Sequence, residues 1–159
     1  MKTHRFLVSL FAALFGLLVH AFGQVQATEA VVSQVIGQAT VTMPGGASVP
    51  LTAGMKLPQG AEVTTGKDSK VTMQAHEGVV AVATSETTVK IEELSVESNG
   101  RRNATIALKS GNIASSLDPT KKAVNNYKIR TPTGVAAARG TTYSVTVNGN
   151  DFSIPVDGG

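Results

Sequence analysis

Cysteine and tryptophan are both absent from the 159 residues. Without cysteine there can be no disulfide, thiol nucleophile, thiolate metal site or lipid-modified cysteine anchor. Histidine is nearly as scarce: His4 and His20 lie in an N-terminal apolar segment, which leaves His76. A His-rich metal site is therefore excluded, and a Ser-His-acid triad would have to use His76. Beyond residue 27 the aromatics are only Tyr127, Tyr143 and Phe152. Carbohydrate sites built on aromatic platforms have little to draw on, and so does an aromatic-rich immunoglobulin-type core. Long runs of one charge are missing as well.

The first five residues carry Lys2, His4 and Arg5 ahead of an apolar run from Phe6 to about Phe22. As a helix this run is only about 26 Å long, short of a hydrocarbon core of roughly 30 Å, and Ser9, Gly16 and His20 interrupt it. The pattern is that of a cleaved secretory signal rather than an anchor. Small residues at −3 and −1 place cleavage after Val25-Gln26-Ala27, before Thr28, with Ala21-Phe22-Gly23 as second choice. Residues 1–27 are thus expected to be a signal peptide and 28–159 a single exported domain, periplasmic or at the cell surface. Membrane contact, if any, would run through an uncleaved signal segment. Removing 1–27 takes Lys2 and Arg5 from 14 basic residues and none of the 11 acidic ones, so the net charge falls from +3 to +1. Backbone-phosphate binding needs clustered neutralising charge, so no nucleic-acid partner is expected.

Glycines punctuate the rest, often roughly ten residues apart, as turns between short strands do. Between them apolar residues alternate: Val71 and Met73, Val89 and Ile91, Ile106 and Leu108, then Tyr143, Val145 and Val147. Period two marks half-buried strands. Val135–Ala138 is too short to nucleate a helix and reads as strand. Parity changes from Val89 and Ile91 to Leu94 and Val96, so one residue near Glu92-Glu93 must be absorbed in a bulge. The pattern predicts an all-β fold, and the small Val/Ala-rich core predicts short strands in a narrow β-solenoid-like or sandwich arrangement. Asn99–Asn103 reads as a solvated hairpin tip and Asp118–Lys122 as a polar loop, each with a basic pair kept in solvent.

Gly60–Gly66, Val71–Met73, Glu77–Val80 and Ile106–Gly111 follow in an order that resembles the FecR domain. Tyr127–Gly134 and Ala138–Val145 are the most specific part. Thr131, Pro132 and Gly134 resemble the family's Thr-Pro-x-Gly signature; Gly140, Thr141 and Tyr143, preceded by Arg139, resemble its Gly-Thr-x-aromatic-x-Val. The similarity covers roughly residues 60–147. Read on their own, Pro at the second and Gly at the fourth position of Thr131–Gly134 suit a type I turn between two strands. Gly140 interrupts a strand-like run and marks a bulge or a close backbone approach. These residues are therefore expected to serve the scaffold.

The resemblance implies a periplasmic sensor module that receives a signal from a receptor and passes it to a sigma factor. Only five residues precede the apolar run, which leads to the expectation of a free-standing exported FecR-like domain. An envelope or outer-membrane receptor is the expected partner, with a structural or glycan-binding surface module as the alternative. No enzymatic activity, cofactor or metal is expected. His76-Glu77-Gly78-Val79-Val80 lacks the second histidine of the zinc helix motif, and Gly78 disfavours a helix, so His76 reads as a turn residue.

Overall fold

The computed structural model describes residues 25–137, 142–148 and 151–153. Among these the strands are β1 (Gln26–Ala27), β2 (Ala30–Ile36), β3 (Ala39–Thr42), β4 (Ser48–Pro50), β5 (Lys56–Leu57), β6 (Glu62–Thr65) and β7 (Lys70–His76), followed by β8 (Val79–Ala83), β9 (Thr88–Val96), β10 (Arg102–Leu117), β11 (Asn125–Thr131), β12 (Gly134–Ala137), β13 (Thr142–Asn148) and β14 (Asp151–Ser153). A 3-10 turn, Pro119–Lys121, interrupts the series after β10. The fold is all-β, one continuous 14-stranded sheet curled on itself.

The two halves of the sheet share β10. Its first part pairs with β9 and β11, and its second part with β8 and β13. The change-over falls at Gly111, where φ is +86° and an added Cβ would lie 2.6 Å from Thr87 Cα and 2.7 Å from the Glu86 carbonyl oxygen. Both the left-handed backbone and the close approach require glycine there. The spacing of glycines suggests a turn between two strands at this position; instead the strand continues through the bend. Both ends of β10 consequently return to the β7–β8 turn. Arg102 reaches Glu77 there, and the Asp118 amide donates to the Gly78 carbonyl at 2.8 Å.

The chain changes halves repeatedly, between β2 and β3, β6 and β7, β8 and β9, and within β10. This is the coiling expected of a narrow Val/Ala core. Hydrogen-bonded neighbours nonetheless run antiparallel, apart from the parallel β10–β11 pair. A solenoid stacks its strands in parallel, so the sandwich-like half of the expectation describes the pairing better.

Alternation places Val71, Met73, Val89, Ile91, Ile106, Leu108, Tyr143, Val145 and Val147 in one common core. Each large aliphatic among them is worth about 1.5–3 kcal/mol on burial. Ala61, Ala75, Ala81, Ala104 and Ala136 are also buried and keep the layers close. Tyr127 and Tyr143 meet edge to face across the core, with ring centroids 6.4 Å apart. The parity change is absorbed at Glu92, since Ile91 pairs with Ile106 and Glu93 with Thr105.

β1 pairs with the far end of β9, Ala27 opposite Ser95, and the Thr28 amide donates to Leu94 O at 3.1 Å. The cleavage site expected between Ala27 and Thr28 therefore adjoins a paired strand; residues 1–24 lie outside the described residues. Among the described residues no helix is long and apolar enough to cross a membrane.

Candidate functional site

The two basic pairs, far apart in sequence, meet at the end of the domain where β10 begins and finishes. Glu77, in the β7–β8 turn, takes one member of each. Its carboxylate lies 3.0 Å from Arg102 Nη2 and 3.1 Å from Lys121 Nζ. Lys121 first and Arg102 second hold this carboxyl below the usual glutamate range. The Glu77 backbone carbonyl also accepts from Asn125 Nδ2 at 3.0 Å. Gly78 then turns the chain at φ +78°, with Asp118 Cβ only 3.0 Å from where a Cβ would stand. Asp118 caps the 3-10 turn by accepting from the Thr120 amide at 2.8 Å and the Thr120 hydroxyl at 2.7 Å. Those bonds, the hydroxyl's foremost, keep its carboxyl low.

Arg101 lies in the turn ahead of β10 and Lys122 caps the 3-10 turn in a helical conformation, and neither forms a salt bridge with Glu77. Arg101 and Lys122 line a groove of about 570 Å³, together with Lys128, Val124, Asn125 and Ala137. Among the described residues no carboxylate forms a salt bridge with any of the three cations. Among the described residues β12 pairs with β11 from Thr131 opposite Gly134 to Lys128 opposite Ala137.

Beneath the groove the polar groups are interlocked. Asn103, expected in a solvated hairpin tip, is instead buried in β10. Its Nδ2 donates to Glu97 Oε1 at 2.9 Å, and its Oδ1 accepts from Asn126 Nδ2 at 2.9 Å. Burial is tolerable because both ends of the amide are paired. Asn103 and then Asn99 hold the Glu97 carboxyl low. The expected tip is a true turn only at Glu97–Arg101, with Gly100 at φ +81°. Arg102 likewise departs from that expectation, being ion-paired rather than free in solvent.

His76 closes β7 at the edge of this cluster, 9% exposed, with Nε2 3.0 Å from the Asn103 carbonyl oxygen. Only a protonated nitrogen can donate to a carbonyl, which fixes the Nε2–H tautomer. Desolvation pulls its pKa below 6.5. The imidazole is thus neutral and engaged with backbone.

Where they are described, the family-signature residues lie in a hairpin turn and in the core. Thr131 Oγ1 donates to the Gly134 carbonyl at 3.1 Å and accepts the Gly134 amide at 3.0 Å, closing the β11–β12 hairpin. Neither Pro132 nor Thr133 takes positive φ, in keeping with the expected type I turn. Tyr143 packs in the core, and Tyr127 OH meets Ser115 Oγ at 2.9 Å. With both tyrosines buried, neither offers a platform to a sugar ring. Arg139, Gly140 and Thr141 lie outside the described residues.

The convergence of Arg101, Lys122 and Lys128 escaped the sequence reading. Comparison with known proteins finds no match among curated proteins and none among solved structures. The family model described as FecR protein matches residues 61–159, more than half of the chain, and agrees with the Thr131–Gly134 hairpin: the chain belongs to the FecR family.

Proposed function

We propose that this FecR-family domain is an exported, non-enzymatic protein-interaction module of the cell envelope that takes up a receptor or other envelope protein by strand addition. The family is generally involved in signal sensing, which favours a protein partner. The observation that carries the reading is the edge at β12. Among the described residues β12 pairs only with β11, and Val135 on it is 57% exposed. Thr131 and Gly134 flank the two-residue turn, so the register puts Val135 opposite Arg130 at a non-hydrogen-bonded position, its amide facing the free edge. An incoming strand would take backbone hydrogen bonds from that edge and specificity from alternate side chains.

The test is capture from envelope extract with the exported full chain and with Val135→Pro. Proline removes one outward N–H and no bond to β11. A stoichiometric partner recovered by the parent and lost with Val135→Pro supports the reading; no partner, or equal recovery, overturns it. Mass spectrometry of the secreted protein checks export and its boundary. An N-terminus at Thr28 means that β1 leaves with the signal peptide, whereas cleavage after Gly23 retains it.

A further inference from the structure

We propose that the outer face of the half-sheet holding β8 and β13 is the contact between two copies of this chain, an inference that stands apart from the strand-addition role above. Its strands run in the order β2, β7, β8, β10, β13. Register sets Gln74, Val80, Ser116 and Thr142 in one row across it. The next row is Thr72, Val82, Ala114 and Ser144. Each of these has a buried neighbour in its own strand and points the other way, outward. None is charged. The charges adjoining the rows stand at the border: Lys70 opens β7 opposite Ile36, Asp151 opens β14 opposite Asn148, and Lys56, opposite Val31, is paired with Glu29 at 3.8 Å. Outward residues of the other half, by contrast, include Glu62, Lys90, Lys109, Lys128 and Arg130.

The chemistry suits a copy of itself. The core of a protein interface is depleted of charge and ringed by polar groups. Here half-buried Val80 and Val82, with Ala114 beside Val82, are flanked by hydroxyls and carboxamides. Such groups both donate and accept, so the face meets its replica with no like charges opposed. Apolar surface continues along β2, where Val31 is 41% and Ile36 45% exposed, and the bulge between Val32 and Gln34 keeps both on this face. Strands of seven residues at about 3.3 Å each, five abreast at about 4.8 Å, cover about 550 Å². Two such faces packed as stacked sheets remove about 1,100 Å² from water, which clears the roughly 1,000 Å² of a specific interface. Other ligands fit less well, since the two rows hold no cation for a phosphate backbone or an anionic lipid and no aromatic for a sugar ring.

The experiment is sedimentation of the exported full chain over a concentration series, as parent, Thr72→Lys/Ser116→Lys and Thr40→Lys/Thr42→Lys. The first pair puts two cations inside the face; the second adds the same charge at exposed positions of β3, in the other half. A dimer in the parent, with its dissociation constant raised at least about tenfold by the first pair and unchanged by the second, is expected. Concentration-dependent amide shifts of the parent should map to β7, β8, the second part of β10 and β13, which locates the contact even where a lysine pair impairs folding. A parent that stays monomeric, equal weakening by both pairs, or shifts confined to β9, β11 and β12 would overturn the proposal. If the parent is monomeric and envelope capture loses a protein with the first pair, the face belongs to a different partner instead. Val135→Pro should leave the dimer intact, since β12 belongs to the other half, so failure of strand addition and failure of self-association are told apart.

Discussion

The hydroxyl of Thr87 accepts the amide proton of Asn112 at 3.0 Å, so the residue directly after the β10 bend is held by the turn that leads into β9. Thr87 is fully buried, and its own amide donates to Thr65 Oγ1 at 2.9 Å. The Thr84 amide reaches the Asn112 carbonyl at 3.1 Å. This cluster fixes where the sheet folds over, and it is the reason Gly111 sits against Thr87 with no room for a side chain. Thr87→Val keeps the shape and removes the acceptor, leaving the part-buried Asn112 amide without this partner at a cost of about 1 kcal/mol. Gly111→Ala adds overpacking to left-handed strain and is expected to cost about 3 kcal/mol or more. Urea unfolding midpoints should therefore rank parent, Thr87→Val, Gly111→Ala. An alanine variant as stable as the parent would mean that the bend is not built this way.

Ser115 and Tyr127 meet inside the core, 2.9 Å apart, with Ser115 in the second part of β10 and Tyr127 in β11. The bond ties the two halves of the curled sheet together, and burial pushes the phenol pKa far above its ordinary value. Removing either hydroxyl strands the other. Ser115→Ala and Tyr127→Phe should each destabilise by about 1–3 kcal/mol, and the double variant by clearly less than the sum. Additive losses would show that the two hydroxyls do not depend on each other.

Much of this architecture can be read from residue types. Period-two alternation identified the inward faces of Val71–Met73 and Tyr143–Val147 because one face of each strand is buried and the other is less so, whereas around Ile106–Leu108 the neighbours Thr105 and Ala107 are buried as well. The Glu92 bulge followed from parity alone, and the Thr131–Gly134 turn from proline and glycine chemistry. Gly111 was illegible because a glycine marks a strand end and a strand bend equally well. Asn103 was illegible for a different reason: asparagine beside a turn is ordinarily solvated, and only its long-range partners Glu97 and Asn126 make burial affordable. The groove depended on the pairing of β10 with β11, which brings together the turns ahead of each strand that carry Arg101 and Lys122.

Thr131 holds the β12 hairpin through both bonds of its hydroxyl to Gly134. Thr131→Val should cost about 1 kcal/mol globally, yet its larger effect should be local. Amide exchange at Val135, Ala136 and Ala137 is expected to quicken relative to that of the core strands, since a short edge strand opens without global unfolding. Exchange unchanged along β12 would place the hairpin's stability in its packing instead.

His76 makes stability depend on pH between neutrality and the carboxylate range. In the folded chain its pKa lies below 6.5, because burial disfavours the imidazolium and the Arg102 charge adds to the same effect, against the Asn103 carbonyl, which favours protonation. Glu77 follows it in the chain, with its carboxylate engaged by Lys121 and Arg102. As pH falls through 6.5 the unfolded histidine takes up a proton while the folded one does not. The unfolded state then binds more protons, and stability declines with falling pH, by at most about 1.4 kcal/mol per pH unit for one group. His76→Gln removes this titration and retains a side-chain N–H for the Asn103 carbonyl. Its stability should therefore stay level where the parent's declines. Below that window both proteins should lose stability together, as Glu77, Glu97 and Asp118, all held low in the fold, become protonated. Chemical denaturation across a pH series reads both limbs, and a parent profile that His76→Gln leaves unaltered would remove His76 as the source of the upper one.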